Sequence, residues 1–331
     1  MGHFCVTLYP SALTPPDFPR APICISTIYP SLDNMKLNHI ATTLALVLLP
    51  LLMTGQTTLV AQGTVIEGLS FKGDILDHEV EYAVYLPPGY EASQRSYPIL
   101  YLLHGYSDDE TGWIQFGDVE RIVNNGIASG LITPMIIVMP DGGVTFYVNN
   151  HSGSERWGDM FIEEFIPHVE DGYKVRGTKR YRAIAGLSMG GYGALVHSLK
   201  HPDTFSGCGA FSAAVWTDEQ MKERYENARG SFMTDLYGPM TNGELPEQWS
   251  QHSPIDLVNT QPVDELRSVR YWIDCGDDDF LTIGNAALHI ALIQREIPHE
   301  YRVRDGAHNW TYWRTGLTDA LSFLSDGFRQ K

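Results

Sequence analysis

Two short stretches, Ile99–His104 and Met135–Met139, are apolar at almost every position. A strand with one wet face alternates apolar and polar residues, whereas an unbroken apolar run of strand length must be covered on both faces. Such strands belong inside a largely parallel sheet with helices on either side. The remaining chain supplies those helices. Residues 118–129 place Val119, Ile122, Val123 and Ile127 at helical spacing, and residues 159–170 do the same with Phe161, Ile162, Phe165, Ile166 and Val169. Strands are expected at 80–86, 182–186, 207–211, 269–275 and 300–303, and helices at 190–200, 282–296 and 311–328. Strands that alternate with helices of this length imply right-handed βαβ crossovers and one α/β domain with helices on both faces of the sheet. Residues 213–265 break the rhythm. They are polar, Trp-bearing and interrupted by Gly and Pro, as expected of an insertion over a functional site.

The domain is expected to span residues 63–331. Met35–His39 is a short basic start, followed by a mostly apolar run from Ile40 to Met53, and small residues near Ala61 and Gly63 offer cleavage points. This is the pattern of a secretory signal peptide over 35–62, too short in its apolar part to span a bilayer. Residues 1–34 are Pro-rich and patternless, and read as upstream translation or a disordered arm. A periplasmic or secreted location follows, with no membrane anchor after cleavage. The whole sequence has 23 Lys+Arg against 40 Asp+Glu, a formal charge of −17. Nucleic acid and anionic membranes would be repelled, so neither is an expected partner. Four cysteines in 331 residues exclude a disulfide scaffold. Cys208 and Cys275 fall in expected core strands and read as buried thiols. With no CxxC, HExxH or EF-hand pattern, no metal or cofactor is expected.

The chemistry gathers at strand ends. Gly186-Leu187-Ser188-Met189-Gly190 stands between an expected strand and an expected helix. A serine there occupies a tight turn that only small flanking residues permit, and its hydroxyl is lifted above the sheet. Such a nucleophile needs a base, and the base an orienting carboxylate. His308 follows the strand at 300–303, and Asp277, Asp278 and Asp279 follow the strand at 269–275, giving the chain order Ser…Asp…His. The three aspartates are equivalent by position alone. The backbone N–H groups of Met189, after the serine, and Tyr106, in the loop after Ile99–His104, are the expected oxyanion donors. His104 reads as a structural hydrogen-bonder. Trp113, Tyr147, Trp157, Trp216 and Trp310 lie in or near loops expected to ring the site, where aromatic faces would suit sugar or feruloyl rings.

These segments, Tyr101–Gly105, Ala185–Gly191, Cys275–Leu281 and Gly306–Trp310, together resemble the esterase D-type esterases. That family includes the carbohydrate esterase family 1 feruloyl and acetylxylan esterases, the S-formylglutathione hydrolases and the mycolyltransferases. The resemblance runs from about Gly63 to Phe328. It implies an α/β-hydrolase fold and a cofactor-free serine carboxylesterase, and it selects Asp279 as the acid, three residues after a glycine and just before Phe280-Leu281. It also implies an ester substrate, here feruloyl or acetyl groups on plant cell-wall oligo- or polysaccharide, with an acyltransferase or an S-formylglutathione hydrolase-like thioesterase as alternatives.

Overall fold

The computed structural model describes residues 62–227 and 229–329. The upstream segment 1–34 and the expected signal peptide up to residue 61 lie outside the described residues. An eight-stranded sheet organises the rest: β1 (Thr64–Phe71), β2 (Val80–Leu86), β3 (Ile99–Leu103), β4 (Ile136–Pro140), β5 (Arg182–Leu187), β6 (Gly207–Phe211), β7 (Arg270–Gly276) and β8 (His299–Arg304). Their spatial order is β1-β2-β4-β3-β5-β6-β7-β8. β1 and β2 run antiparallel at one edge, and the other six strands are mutually parallel.

The apolar runs are buried on both faces. Ile99, Tyr101 and Leu103 of β3 belong to one core, and Leu100 and Leu102 to the other. Helix α1 (Val119–Ala128) and the closing helix α6 (Trp310–Arg329) cover the second core through Val119, Val123, Leu317 and Leu321. The first core is covered by α2 (Met189–Lys200), α5 (Thr282–Gln294) and the helical segment from Trp157. That segment differs from the uniform helix expected at 159–170. It starts at Trp157–Met160, widens into a π-helical turn over Phe161–Phe165 and continues as Ile166–Gly172. Strand β1 has no counterpart in the sequence reading. Its pairing with β2 shifts register between Ile66 and Leu69, around Gly68 at φ +69°, and this bulge breaks the period-2 alternation.

The irregular stretch 213–265 contributes α3 (Asp218–Glu226) and α4 (Gly230–Tyr237), then Glu247–Ser250, Pro254–Thr260 and Val263–Leu266. Thr217 starts α3 through a reciprocal capping box with Gln220. No helix among the described residues is long and apolar enough to cross a membrane. Cys208 and Cys275 are free, buried thiols, and burial pushes both up to about 12.

One polar knot binds the C-terminal strands to α6. The fully buried carboxylate of Asp274 in β7 accepts from Arg304 Nη2 in β8 at 2.8 Å and from the Tyr312 hydroxyl in α6. Removing one partner of a buried pair leaves the other charge uncompensated, which destabilises more strongly than the pair itself stabilises. Asp274→Ala should therefore lower unfolding stability by about 3 kcal/mol, measured as a reduced urea midpoint at unchanged slope. A loss below about 0.5 kcal/mol, the scale of an ordinary surface substitution, would show that the knot is dispensable.

Candidate active site

Ser188 is the residue between β5 and α2, and its backbone sits at φ 52°, ψ −115°. That conformation is strained for a side chain with a Cβ, and the neighbours hold it. Ser188 N–H donates to Phe211 O at 2.8 Å, and Ser188 O accepts from Tyr192 N–H at 3.0 Å and Ala214 N–H at 2.9 Å. The helix start abuts the end of β3 so closely that a Cβ on Gly190 would lie 2.4 Å from Leu103 O. A Cβ on Gly186 would lie 2.5 Å from the Gly190 carbonyl carbon, so both positions demand glycine.

The loop after β8 brings His308 Nε2 to 2.9 Å from Ser188 Oγ. The loop after β7 brings Asp279 Oδ2 to 2.9 Å and Oδ1 to 3.1 Å from His308 Nδ1. An ionised carboxylate only accepts, so Nδ1 carries the ring proton and Nε2 is left to accept from the serine hydroxyl. Burial opposes ionisation of Asp279, but hydrogen bonds from His308 and the Leu281 N–H outweigh it and hold its carboxyl below the usual range. The Leu281 N–H meets Asp279 Oδ1 at 2.9 Å. Asp277 and Asp278 are exposed, and Asp277 Oδ1 accepts the Gly306 N–H at 3.0 Å, bracing the histidine loop from outside. Of the two residues that follow the acid, Leu281 is buried whereas Phe280 is 66% exposed, its ring 4.6 Å from the His308 ring.

Ser188 opens into a cavity of about 670 Å³. Met189 and Tyr106 both line it; as the first residue of α2, Met189 has its N–H free of the helix ladder. Neither N–H enters a turn or loop hydrogen bond among the described residues. Of the five expected aromatic walls, only Trp216 and Trp310 line the cavity. Trp113, Tyr147 and Trp157 are instead buried behind it, as braces of the strand-end loops. Trp113 Nε1 donates to Leu103 O at 2.9 Å, the Tyr147 hydroxyl to His104 O at 2.9 Å and Trp157 Nε1 to Asp141 O at 3.3 Å. His104 is structural, with Nε2 accepting the Gly142 N–H at 2.8 Å and Nδ1 lying 2.8 Å from Gly105 O.

The sequence reading missed Phe146, Phe280, Trp313, Arg224 and Arg229 as cavity walls. Trp313 was legible in principle, three residues after Trp310 on one helix and therefore on the same face. The arginines were not, because nothing in 213–265 set the orientation of their helices. Three metal-capable side chains gather at one place among the described residues, the exposed carboxylates of Asp277, Asp278 and Asp305, within 4.8 Å of one another.

The family model described as "Putative esterase" matches residues 73–324. An endo-1,4-beta-xylanase/feruloyl esterase of Xylanibacter ruminicola is 35% identical over 147 residues, 42% of this chain but 20% of that much longer protein. An acetyl esterase of Caldicellulosiruptor saccharolyticus is 28% identical over 229 residues, covering 68% of this chain and 82% of its own length. Among solved structures, a ferulic acid esterase superposes with a TM-score of 0.69 at 31% identity, covering 81% of this chain and 99% of its own. The chain belongs to the Putative esterase family and is a carboxylic ester hydrolase of the α/β-hydrolase fold.

Proposed function

We propose that the chain is an exported serine carboxylesterase that hydrolyses feruloyl or acetyl esters of plant cell-wall polysaccharide through an acyl-enzyme on Ser188. The observation that carries this reading is the continuous Ser188–His308–Asp279 hydrogen-bond chain at the floor of an aromatic-walled cavity. His308 takes the serine proton as Oγ attacks the ester carbonyl, then returns it to the leaving alcohol. A water molecule, deprotonated by the same imidazole, releases the acid. Asp279 holds the ring tautomer and stabilises the imidazolium. The Met189 and Tyr106 N–H groups receive the developing oxyanion, each donor being worth about 3–4 kcal/mol in the transition state. The exposed Tyr106 and Phe280 and the half-buried Trp310 offer aromatic faces of the kind that sugar and feruloyl rings stack on. The activities named for the xylanase/feruloyl esterase and acetyl esterase relatives support the same substrate class.

Ser188→Ala should lower kcat by about 10⁴-fold or more with the fold intact. A fluorophosphonate should label Ser188 and no other serine; labelling elsewhere, with full activity in the variant, refutes the mechanism. Asp279→Asn should cost about 10³–10⁴-fold in kcat. Asp278→Asn and Asp277→Asn should each cost less than about tenfold, the latter because asparagine keeps the acceptor for Gly306. Methyl ferulate and acetylated xylan should outperform S-formylglutathione, and added acceptor sugars should leave free acid as the product. Preferred cleavage of S-formylglutathione would make it a thioesterase, and acyl transfer to the sugars a transferase. N-terminal sequencing of exported protein should begin near Gln62 or Thr64, and an intact Met1 or Met35 would refute cleavage.

A further inference from the structure

Arg224, in α3, and Arg229, just before α4, both line the cavity that holds Ser188. The same two side chains, with Trp216 and Phe280, also line an adjoining hollow of about 400 Å³. They therefore stand where the catalytic cavity continues outward. The Arg224 guanidinium lies 4.1 Å from the Trp216 ring centroid, stacked on a buried aromatic. Burial, and then the neighbouring charge of Arg229, pull Arg224 down to about 10, so it remains a cation at neutral pH.

Several other arginines among the described residues are engaged from within. Arg182 grips Glu170 with contacts of 2.6 and 2.8 Å, Arg304 grips Asp274, and Arg295 donates to the carbonyls of Asn259 and Gln261. Among the described residues, neither Arg224 nor Arg229 has a carboxylate within ion-pair distance or a side-chain hydrogen bond to a carbonyl. The carboxylates nearest by lining are Asp108, in the catalytic cavity, and Glu223, in the outer hollow; neither pairs with them. The half-buried Arg224 and the exposed Arg229 repel each other, and an anion seated between them would relieve that repulsion. In a chain of formal charge −17 they bring two positive side chains to the wall of the cavity that holds the nucleophile.

We propose that Arg224 and Arg229 form an anion subsite, so that the ester presented to Ser188 carries a carboxylate remote from the reacting carbonyl. This rests on the serine-esterase reading above and narrows its substrates to acidic esters. The carboxylate can belong to the alcohol part, as in an acylated oligosaccharide bearing a uronic acid, or to the acyl part, as in a dicarboxylic half-ester. Guanidinium forks bind either through paired N–H donors.

Two matched pairs of substrates separate these sources. Acetylated xylotetraose with and without a glucuronosyl branch tests the alcohol part, and para-nitrophenyl hemiglutarate against para-nitrophenyl valerate tests the acyl part. The wild type should favour the anionic member of at least one pair by about tenfold in kcat/KM, and the ratio should shrink in about 0.5 M salt. The Arg224→Gln/Arg229→Gln double variant should bring that ratio to about one, and restoring charge in Arg224→Lys/Arg229→Lys should recover part of it. Calorimetry on the Ser188→Ala protein reads binding without turnover: glucuronosyl-xylotetraose or glutarate should bind, and about tenfold more weakly once both arginines are Gln. Ratios at or below one in both pairs, with no anion binding, overturn the subsite while leaving the esterase intact. Anion binding in a wild type that cleaves no ester overturns the esterase reading and leaves the subsite standing.

Discussion

The Ser188 backbone is the constraint on which the site depends. A non-glycine residue in that region costs on the order of 1–3 kcal/mol, and the surroundings must over-determine it. Here β6 supplies an acceptor to Ser188 N–H through Phe211, while Tyr192 and Ala214 both donate to Ser188 O. The absence of side chains at Gly186 and Gly190 lets the start of α2 press against the end of β3. The same contact that raises the serine therefore brings the loop after β3, with Tyr106, beside the first turn of α2, with Met189. Strain, nucleophile exposure and the closeness of the β3 loop to the first turn of α2 are one geometric fact.

The base and acid are positioned less locally. Asp279 and His308 sit on loops after β7 and β8, and those adjacent parallel strands are locked together through Asp274 and Arg304. Tyr312 ties the same carboxylate to α6, which starts two residues after His308. A second tie closes the loops on each other, from Asp277 Oδ1 to the Gly306 N–H. Trp313 completes the arrangement. Its ring lies 4.9 Å from the His308 ring, and its Nε1 donates to Ser212 Oγ at 3.0 Å. Imidazole orientation is thus shared between a charged partner and packing against a closing helix.

What the sequence made legible follows from what burial writes into it. Strands covered on both faces must be apolar throughout, so β3 and β4 were visible as runs, and with them the sheet. The serine was visible because its turn demands glycines at fixed offsets, and the histidine because it follows a strand in the right chain order. Among the three aspartates the chemistry is identical, and family resemblance had to choose. The physical selector turned out to be the Leu281 N–H and the burial of Leu281, with Phe280 left outside as a wall beside His308. Loop aromatics failed as a guide because no periodicity fixes where a loop side chain points. Phe146 and Tyr147 both have positive φ, and of these neighbours Phe146 lines the cavity while Tyr147 is buried behind it.

The division of labour within the fold then has a physical basis. Ser188 and Asp279 follow β5 and β7, which are buried between the two cores, and His308 follows the edge strand β8, which is held by its pairing with β7 and by the Arg304–Asp274 contact. Trp216, Arg224 and Arg229 come from the stretch between β6 and β7, a crossover that must only return the chain to the next parallel strand. Loop closure penalises added length only weakly, so a crossover of this kind can be long and carry helices of its own. Beyond the Ala214 N–H, its packing on the site runs through side chains: Phe146 lies 5.8 Å from Trp216 and 5.6 Å from Phe232 of α4, ring to ring. Ser188, Asp279 and His308 are therefore tied to the ends of paired strands, and Trp216, Arg224 and Arg229 to the crossover. Changes in α3 and α4 can alter which ester fits without displacing Ser188, because no hydrogen bond of the triad passes through them.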